Sequence, residues 1–330
     1  MSTVQVAPNL TFAVIGDSAA FGTGDEAPDG SFRGWAYYLA NSFRDEVNYV
    51  NFARPGAKSD EVSGIQLSSA KALSPDICGV VAGGNDLLRN GFCPQKLHQN
   101  LLRTCRELME QGTEVIMVEL HDPNQLLKIP KLVKRILRKR VESVNVVYRA
   151  IAEELEIVLI KTRDIPDVHN LRNWHIDRMH PGELGHKKLA REVATQLQKR
   201  GWSLSMPEEG ELTVREKSIQ FRWLLVNGVP WFLKRSVDLL PAVLILSVIE
   251  IFKLIKDDEK IAELLSELNS ELQANIMDAL GKEKASDILE EMDTDEAADF
   301  LGEITPEESR ELLDLMPKEE AEEIKELLKY

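Results

Sequence analysis

The sequence predicts an α/β domain built on a five-stranded parallel sheet with helices on both faces, followed by an all-α domain of stacked short helices. Three observations predict it. Five short apolar runs alternate with amphipathic stretches between Leu10 and Trp202, each run closes on Gly, Pro, Asn or Asp, and past Asp257 the chain repeats every twelve residues. Regular alternation of strand and helix makes βαβ units, whose crossovers build a parallel sheet covered on two sides.

The strands are placed in order at "TFAVIG", "VNYVNFA", "DICGVVAGG", "EVIMVEL" and "IVLIKT". Each is short and apolar or β-branched, as a strand buried on both faces requires. Helical patterns begin near Gly34, Ser59, Pro94 and Lys131, and another runs from Gly182 to Arg200. This first domain takes residues 1–202. Residues 203–216, "SLSMPEEGELTVRE", are polar, hold Pro and Gly, and keep no period, which reads as a linker.

Residues 217–256 are rich in Trp, Leu and Ile with Arg222, Lys234, Arg235, Lys253 and Lys256 spread among them. The run Leu239 to Ile249 is shorter than the about 20 apolar residues that span a bilayer. Two readings of this amphipathic segment stay open: peripheral contact with a membrane interface, or packing on the first domain or a second subunit.

In residues 257–330, Leu264, Ile276, Ile288, Phe300, Leu312 and Ile324 recur at a spacing of twelve, and so do Leu268, Leu280, Met292, Ile304, Met316 and Leu328. Twelve residues hold one helix of about two turns and a tight connection. "TPEE" at 305–308 supplies a start signal, with Thr305 as N-cap, Pro306 at the first helical position and Glu308 reaching back. Helices this short are unstable alone, so the units must stack.

Charge divides the same way. Residues 257–330 carry 25 acidic and 7 basic side chains out of totals of 55 and 40. That surface repels phosphates, so no nucleic-acid partner is expected. A protein partner or self-association through 257–330 is. Cys78, Cys93 and Cys105 have no CxxC spacing and cannot all pair, which fits a reducing compartment. "MSTVQVAPNL" lacks the basic start and apolar core of a secretory signal, so the expected location is cytoplasmic, with membrane-peripheral contact the open alternative.

The chemistry gathers where the strands end, the edge at which open parallel sheets bind ligands. Ser18 follows the first strand, Gly56 the second, Asn85 the third, and Asp177 with His180 the fifth. Serine is a poor nucleophile until a base takes its proton, and a neutral imidazole can do so near neutral pH. His180 is the expected base. Asp177, three residues before it, would accept the other ring N–H and fix the tautomer. The N–H groups of Ser18 and Gly56 and the Asn85 amide are the expected oxyanion donors. Pro181 disfavours helix at His180 and keeps the pair on a loop.

Four blocks carry a resemblance: "GDS" at 16–18, Gly56, "GGND" at 83–86 and "DRMH" at 177–180. In order and spacing they resemble the SGNH (GDSL-type) hydrolases over about residues 10–200. The resemblance implies a flavodoxin-like three-layer α/β/α fold and hydrolysis of carboxylic esters, hence a small-molecule ester substrate and no cofactor. It assigns Ser18 as nucleophile, Gly56 and Asn85 as oxyanion donors, His180 as base and Asp177 as its partner. Ala19 stands where that family has leucine, which bears on substrate preference. An acyltransferase on the same triad, or a membrane-associated adaptor with a vestigial site, are the alternatives.

His169, His175, His180 and His186 form a cluster whose spacing matches no zinc-ligand pattern, so no metal is expected. His186 is expected to stabilise a helix end or bond locally. "KIPKLVKRILRKR" at 128–140 is a basic helix with a solvated face that borders the same rim. It is placed to act as a lid, to attract an anionic substrate or acidic lipid, or to dock the acidic tail. The tail itself resembles the cytoplasmic N-domain of MgtE-type magnesium transporters over about 259–330. That likeness implies a right-handed superhelix of short helices acting as an interaction or regulatory module.

Overall fold

The computed structural model describes residues 10–89, 91–127, 129, 131–209, 248–249 and 251–328. The chain divides into two compact units, Met1–Leu239 and Leu240–Tyr330.

In the first unit β1 (Leu10–Gly16), β2 (Val47–Asn51), β3 (Ile77–Val81), β4 (Glu114–Val118) and β5 (Val158–Ile160) form one sheet in the order β2-β1-β3-β4-β5, every neighbouring pair parallel. This is the flavodoxin-like order, and its reversal between β1 and β3 opens a crevice at their C-terminal ends. Side chains alternate between the faces as the pleat demands. Ala13, Ile15, Cys78, Val80 and Met117 pack with residues of α5 (Pro94–Met109) and α6 (Lys131–Leu155). Phe12, Val14, Ile116, Val158 and Ile160 pack with α2 (Gly34–Ala40) and α7 (Glu183–Lys199).

Both faces are therefore sealed, giving three layers. Gly79 is placed by packing. A Cβ there would stand 2.7 Å from the Trp35 ring, so the missing side chain lets that buried indole lie flat on the sheet. The short helix α1 (Ser18–Phe21) follows β1, and a continuous stretch after β2 runs α3 (Ser59–Glu61), a π-helical turn (Val62–Gln66) and α4 (Leu67–Ala72).

The expected linker begins attached to this unit. Leu204 is buried and bridges Phe43, and the Ser205 N–H donates to Ser42 O at 2.7 Å. Linker residues 210–216 and most of segment 217–256, including 239–247 of its apolar run, lie outside the described residues. Among the described residues no helix is long and apolar enough to cross a membrane.

Among the described residues of the second unit, six repeat helices are Asp258–Ser266, Ser270–Leu280, Lys282–Glu290, Thr294–Glu303, Pro306–Leu315 and Lys318–Leu327. Their first residues fall twelve apart, so the repeat in the sequence is one helix and one turn. Asp258–Ser266 and Pro306–Leu315 pack chiefly on Lys282–Glu290, and Lys318–Leu327 on Thr294–Glu303, two places away in each case, whereas Ser270–Leu280 packs chiefly on its neighbour Lys282–Glu290. Ile276, Ile288, Phe300, Leu312 and Ile324 are buried as the period predicts.

Leu264 corrects it: it is 41 % exposed, and Ile261, Ala262 and Leu265 take its place in the core. Helical residues at 248–249 and 251–252 come before this helix, and Ile249 and Phe252 are buried in the same core while Leu264 stays outside it. The period also continues through Leu265, Met277, Leu289, Leu301 and Leu313, all buried, a register missing from the sequence reading.

The capping box is present: Thr305 Oγ1 accepts from Glu308 N at 3.3 Å and Glu308 Oε2 accepts from Thr305 N at 3.3 Å. Thr305→Ala is expected to cost about 1 kcal/mol, read as a lower denaturation midpoint of the full chain with ester turnover unchanged.

Candidate active site

Gly16 ends β1 with φ +146°, and a Cβ there would lie 2.0 Å from Val81 O, so the chain can turn this tightly against β3 only with glycine. Asp17 then caps α1, its Oδ1 accepting from Ala19 N at 3.0 Å, and Ser18 occupies the first helical position. The turn is clamped from behind. Gln66, buried in the π-helical turn, accepts from Gly16 N at 2.7 Å and donates to Gly16 O at 3.1 Å. Such turns recur at functional sites because they displace one side chain from the regular helix.

His180 Nε2 lies 2.7 Å from Ser18 Oγ, and His180 Nδ1 lies 2.8 Å from Asp177 Oδ2, across 162 residues of chain in the first case. An ionised carboxylate only accepts, so Nδ1 carries the ring proton and Nε2 faces the serine as an acceptor. Asp177 is itself held. Its Oδ1 accepts from Met179 N at 2.9 Å and His180 N at 3.0 Å, and His175 Nδ1 stands 3.1 Å from Oδ2. The loop closes through His175 N–H donating to His180 O at 2.9 Å, with Arg178 at φ +59°.

Burial by itself would raise the Asp177 carboxyl, but its hydrogen bonds from His175 and His180 and their charge hold it far below the ordinary range. Burial likewise opposes charge on His180, yet the hydrogen bond and charge of Asp177, with the charge of Asp17, raise it above its ordinary value. Asp17 is pushed up to about 6, chiefly by burial.

Ser18, Gly56, Asn85, Asp177 and His180, from four separate connections, all line one cavity of about 560 Å³. Gly56 has φ +87°, and Asn85 Nδ2 donates to Ala57 O at 3.1 Å, keeping its amide on the cavity wall. The loop carrying Asn85 is fixed by Tyr148 of α6, whose buried hydroxyl accepts from Ala82 N at 2.8 Å and donates to Ala82 O at 2.6 Å. Away from the polar residues the wall is apolar, with Leu120, Leu127, Leu137, Val141 and Val168 on it. Leu137 and Val141 come from α6, so the basic stretch contributes one face to the cavity while Arg135 and Lys139 stay exposed.

Of the two expectations for His186, a helix end or a local bond, the structure shows the first. The residue is fully buried, its Nδ1 accepts from Trp35 N at 3.2 Å and its Nε2 faces Thr23 O at 3.2 Å, so it satisfies a first-turn N–H of α2 from α7. Burial lowers it to about 4, which keeps the ring neutral. Among the described residues no group of three or more His, Cys, Asp or Glu side chains is arranged to hold a metal ion. Gln66, Tyr148 and His175 are positioning residues that the sequence reading missed; only His175, two residues before Asp177, carried any signal there.

No curated protein sequence matches the chain. Among solved structures, the crystal structure of TesA is 22% identical, covering 57% of this chain and 98% of that one with a TM-score of 0.45. The lipase/acylhydrolase from Enterococcus faecalis is 17% identical, covering 61% and 100% with a TM-score of 0.46. The psychrotrophic esterase EstA from Pseudoalteromonas sp. is 16% identical, covering 58% and 98% with a TM-score of 0.45. The profile of the MgtE intracellular N domain matches residues 236–330, and that of the GDSL-like Lipase/Acylhydrolase family matches residues 14–188. The second match spans more than half of the chain, from β1 through Ser18, Gly56, Asn85, Asp177 and His180 into α7, and the chain belongs to the GDSL-like lipase/acylhydrolase family.

Proposed function

We propose that the first unit is a carboxylic ester hydrolase in which Ser18 is the nucleophile, His180 the base and Asp177 the group that orients the base. The observation that carries this reading is the unbroken line from Ser18 Oγ through His180 to Asp177, at 2.7 and 2.8 Å. Ser18 Oγ attacks the ester carbonyl as its proton passes to His180 Nε2. The negative charge moves to the carbonyl oxygen, which the N–H groups of Ser18 and Gly56 and the Asn85 amide receive. His180 returns the proton to the departing alkoxide, leaving an acyl-serine. Water then attacks with His180 again as base, releasing the acid and restoring Ser18.

Purified protein assayed on a short-chain aryl ester is the test, beside the Ser18→Ala variant. Product analysis with an added alcohol separates hydrolysis from transfer. Loss of one oxyanion donor typically lowers kcat by about a hundred- to a thousandfold. Asn85→Ala is expected to do so with KM nearly constant, since the oxyanion exists only past the ground state. A larger rise in KM than fall in kcat would remove Asn85 from that role.

The pH profile follows from the raised His180. Only the neutral ring accepts the serine proton, so kcat/KM rises with pH through a value above 6.5. For stability the sign is opposite. A group whose folded value is raised contributes stability that is complete below its unfolded value and is lost as pH rises through the folded one. An acid limb well below 6.5 would contradict the assignment of His180 as base.

The six-helix unit is read as an interaction or regulatory module. Its sequence is carboxylate-rich, which suits a basic protein surface better than nucleic acid.

A further inference from the structure

We infer that the catalytic cavity continues into a second, charged chamber that receives an anionic end group of the substrate. This inference rests on the esterase reading and extends it to substrate class. A cavity of about 230 Å³ adjoins the first, and Glu119, Leu120, His121, Val141, Thr162 and Val168 line both. At that shared wall the lining changes character. The catalytic side shows Leu120, Leu127, Leu137 and Val141, whereas the far side shows Asp122, Arg138, Glu142, Arg149, Arg163 and His169.

The wall is a built structure. Asn145 of α6 accepts from Leu120 N at 2.8 Å and donates to Leu120 O at 2.9 Å, which fixes the segment after β4. Arg149 reaches the buried Glu119 at 2.9 Å and also bonds Glu142. Arg138 approaches Asp122 at 3.4 Å.

Each of the chamber's three carboxylates contacts an arginine, but Glu119 and Glu142 share Arg149, so one negative charge of that trio is left unneutralised. Arg163 has only the 3.9 Å approach of its neighbour Asp164 among the described residues, with both side chains exposed, a pairing worth little in water. His121 adds no cation: its ring stacks on Trp174 with centroids 3.9 Å apart, and burial holds it down at about 3. Among the described residues Arg163 is thus the chamber guanidinium without a close carboxylate partner, and its fork suits a carboxylate or a phosphate. An ester with an apolar chain leading from the scissile carbonyl to such an anion matches both chambers. A plain alkyl ester would leave the second one unused.

The test uses the full chain carrying Ser18→Ala, so that esters bind without turning over. Calorimetry compares methyl alkanoates with the monomethyl esters of dicarboxylic acids over a series of chain lengths, and with monoalkyl phosphates as the other anion. One charge-assisted hydrogen bond is worth about 1.5–3 kcal/mol, so the carboxylate-ended ester is expected to bind about tenfold tighter or more than its uncharged counterpart. Adding Arg163→Gln is expected to bring that ratio to about one. Phosphate preferred to carboxylate would identify the end group as phosphate and keep the inference.

Equal binding of charged and uncharged esters, a preference for an ester ended in quaternary ammonium, or a ratio unmoved by Arg163→Gln would each overturn it. So would the absence of binding by every ester in the series. Turnover by the wild-type chain on a short aryl ester reports separately on the esterase reading.

Discussion

Replacing Ser18 by alanine is expected to lower kcat on a short-chain aryl ester by about ten-thousandfold or more, with KM little changed. Only the nucleophile is lost. The oxyanion donors on Gly56 and Asn85 and the cavity wall remain, so binding and a small residual rate persist. Ser18 is half-buried and its hydroxyl bonds only His180 Nε2, so the fold should lose about 1 kcal/mol at most. Steady-state kinetics with a thermal melt of the same preparation checks both halves. Equal rates for the two proteins would leave the site vestigial and favour an adaptor role for the chain.

Asp177→Asn is expected to cost about as much, near ten-thousandfold in kcat, although it removes no atom. Asp177 Oδ2 faces His180 Nδ1 at 2.8 Å and His175 Nδ1 at 3.1 Å, while Oδ1 accepts from two backbone N–H groups. Those backbone bonds keep the amide oxygen at Oδ1, which turns the amide nitrogen toward His180. A donor there forces the ring proton onto Nε2, where it meets the serine and can take nothing from it. The acid limb of any residual activity should also move to lower pH, because the charge that raises His180 is gone.

Stability carries a further signature. A carboxylate whose folded value is depressed adds stability above its unfolded value, here 3.8, and loses it as pH falls toward the folded one. The difference in stability between wild type and variant should therefore shrink in acid. A variant within tenfold of wild type would assign the orienting role elsewhere.

The sequence carried the parts of this fold that are local. Each strand is a short apolar run, and each candidate site residue sits within a few residues of a strand end or a proline, so position along the chain implied position on the rim. The twelve-residue period worked for the same reason, since helix starts at Asp258, Ser270, Lys282, Thr294, Pro306 and Lys318 keep step with it. What stayed hidden depends on distant packing. Gln66 touches Gly16 only because a π-helical turn rotates it inward. Tyr148 reaches Ala82 across 66 residues, and His186 bonds Trp35 across 151. Leu264 follows the period perfectly and is exposed, because burial depends on which helices lie beside it.

The most direct measurement is mass spectrometry of the intact protein and its peptides after reaction with diethyl p-nitrophenyl phosphate. In that reaction a serine oxygen activated by an imidazole displaces nitrophenolate and keeps the diethylphosphoryl group. The expected result is one adduct per chain, on the peptide containing Ser18, appearing in step with loss of esterase activity and nearly absent in the His180→Ala variant. An active enzyme that is labelled on another residue, or that is inhibited with Ser18 unmodified, would contradict the account.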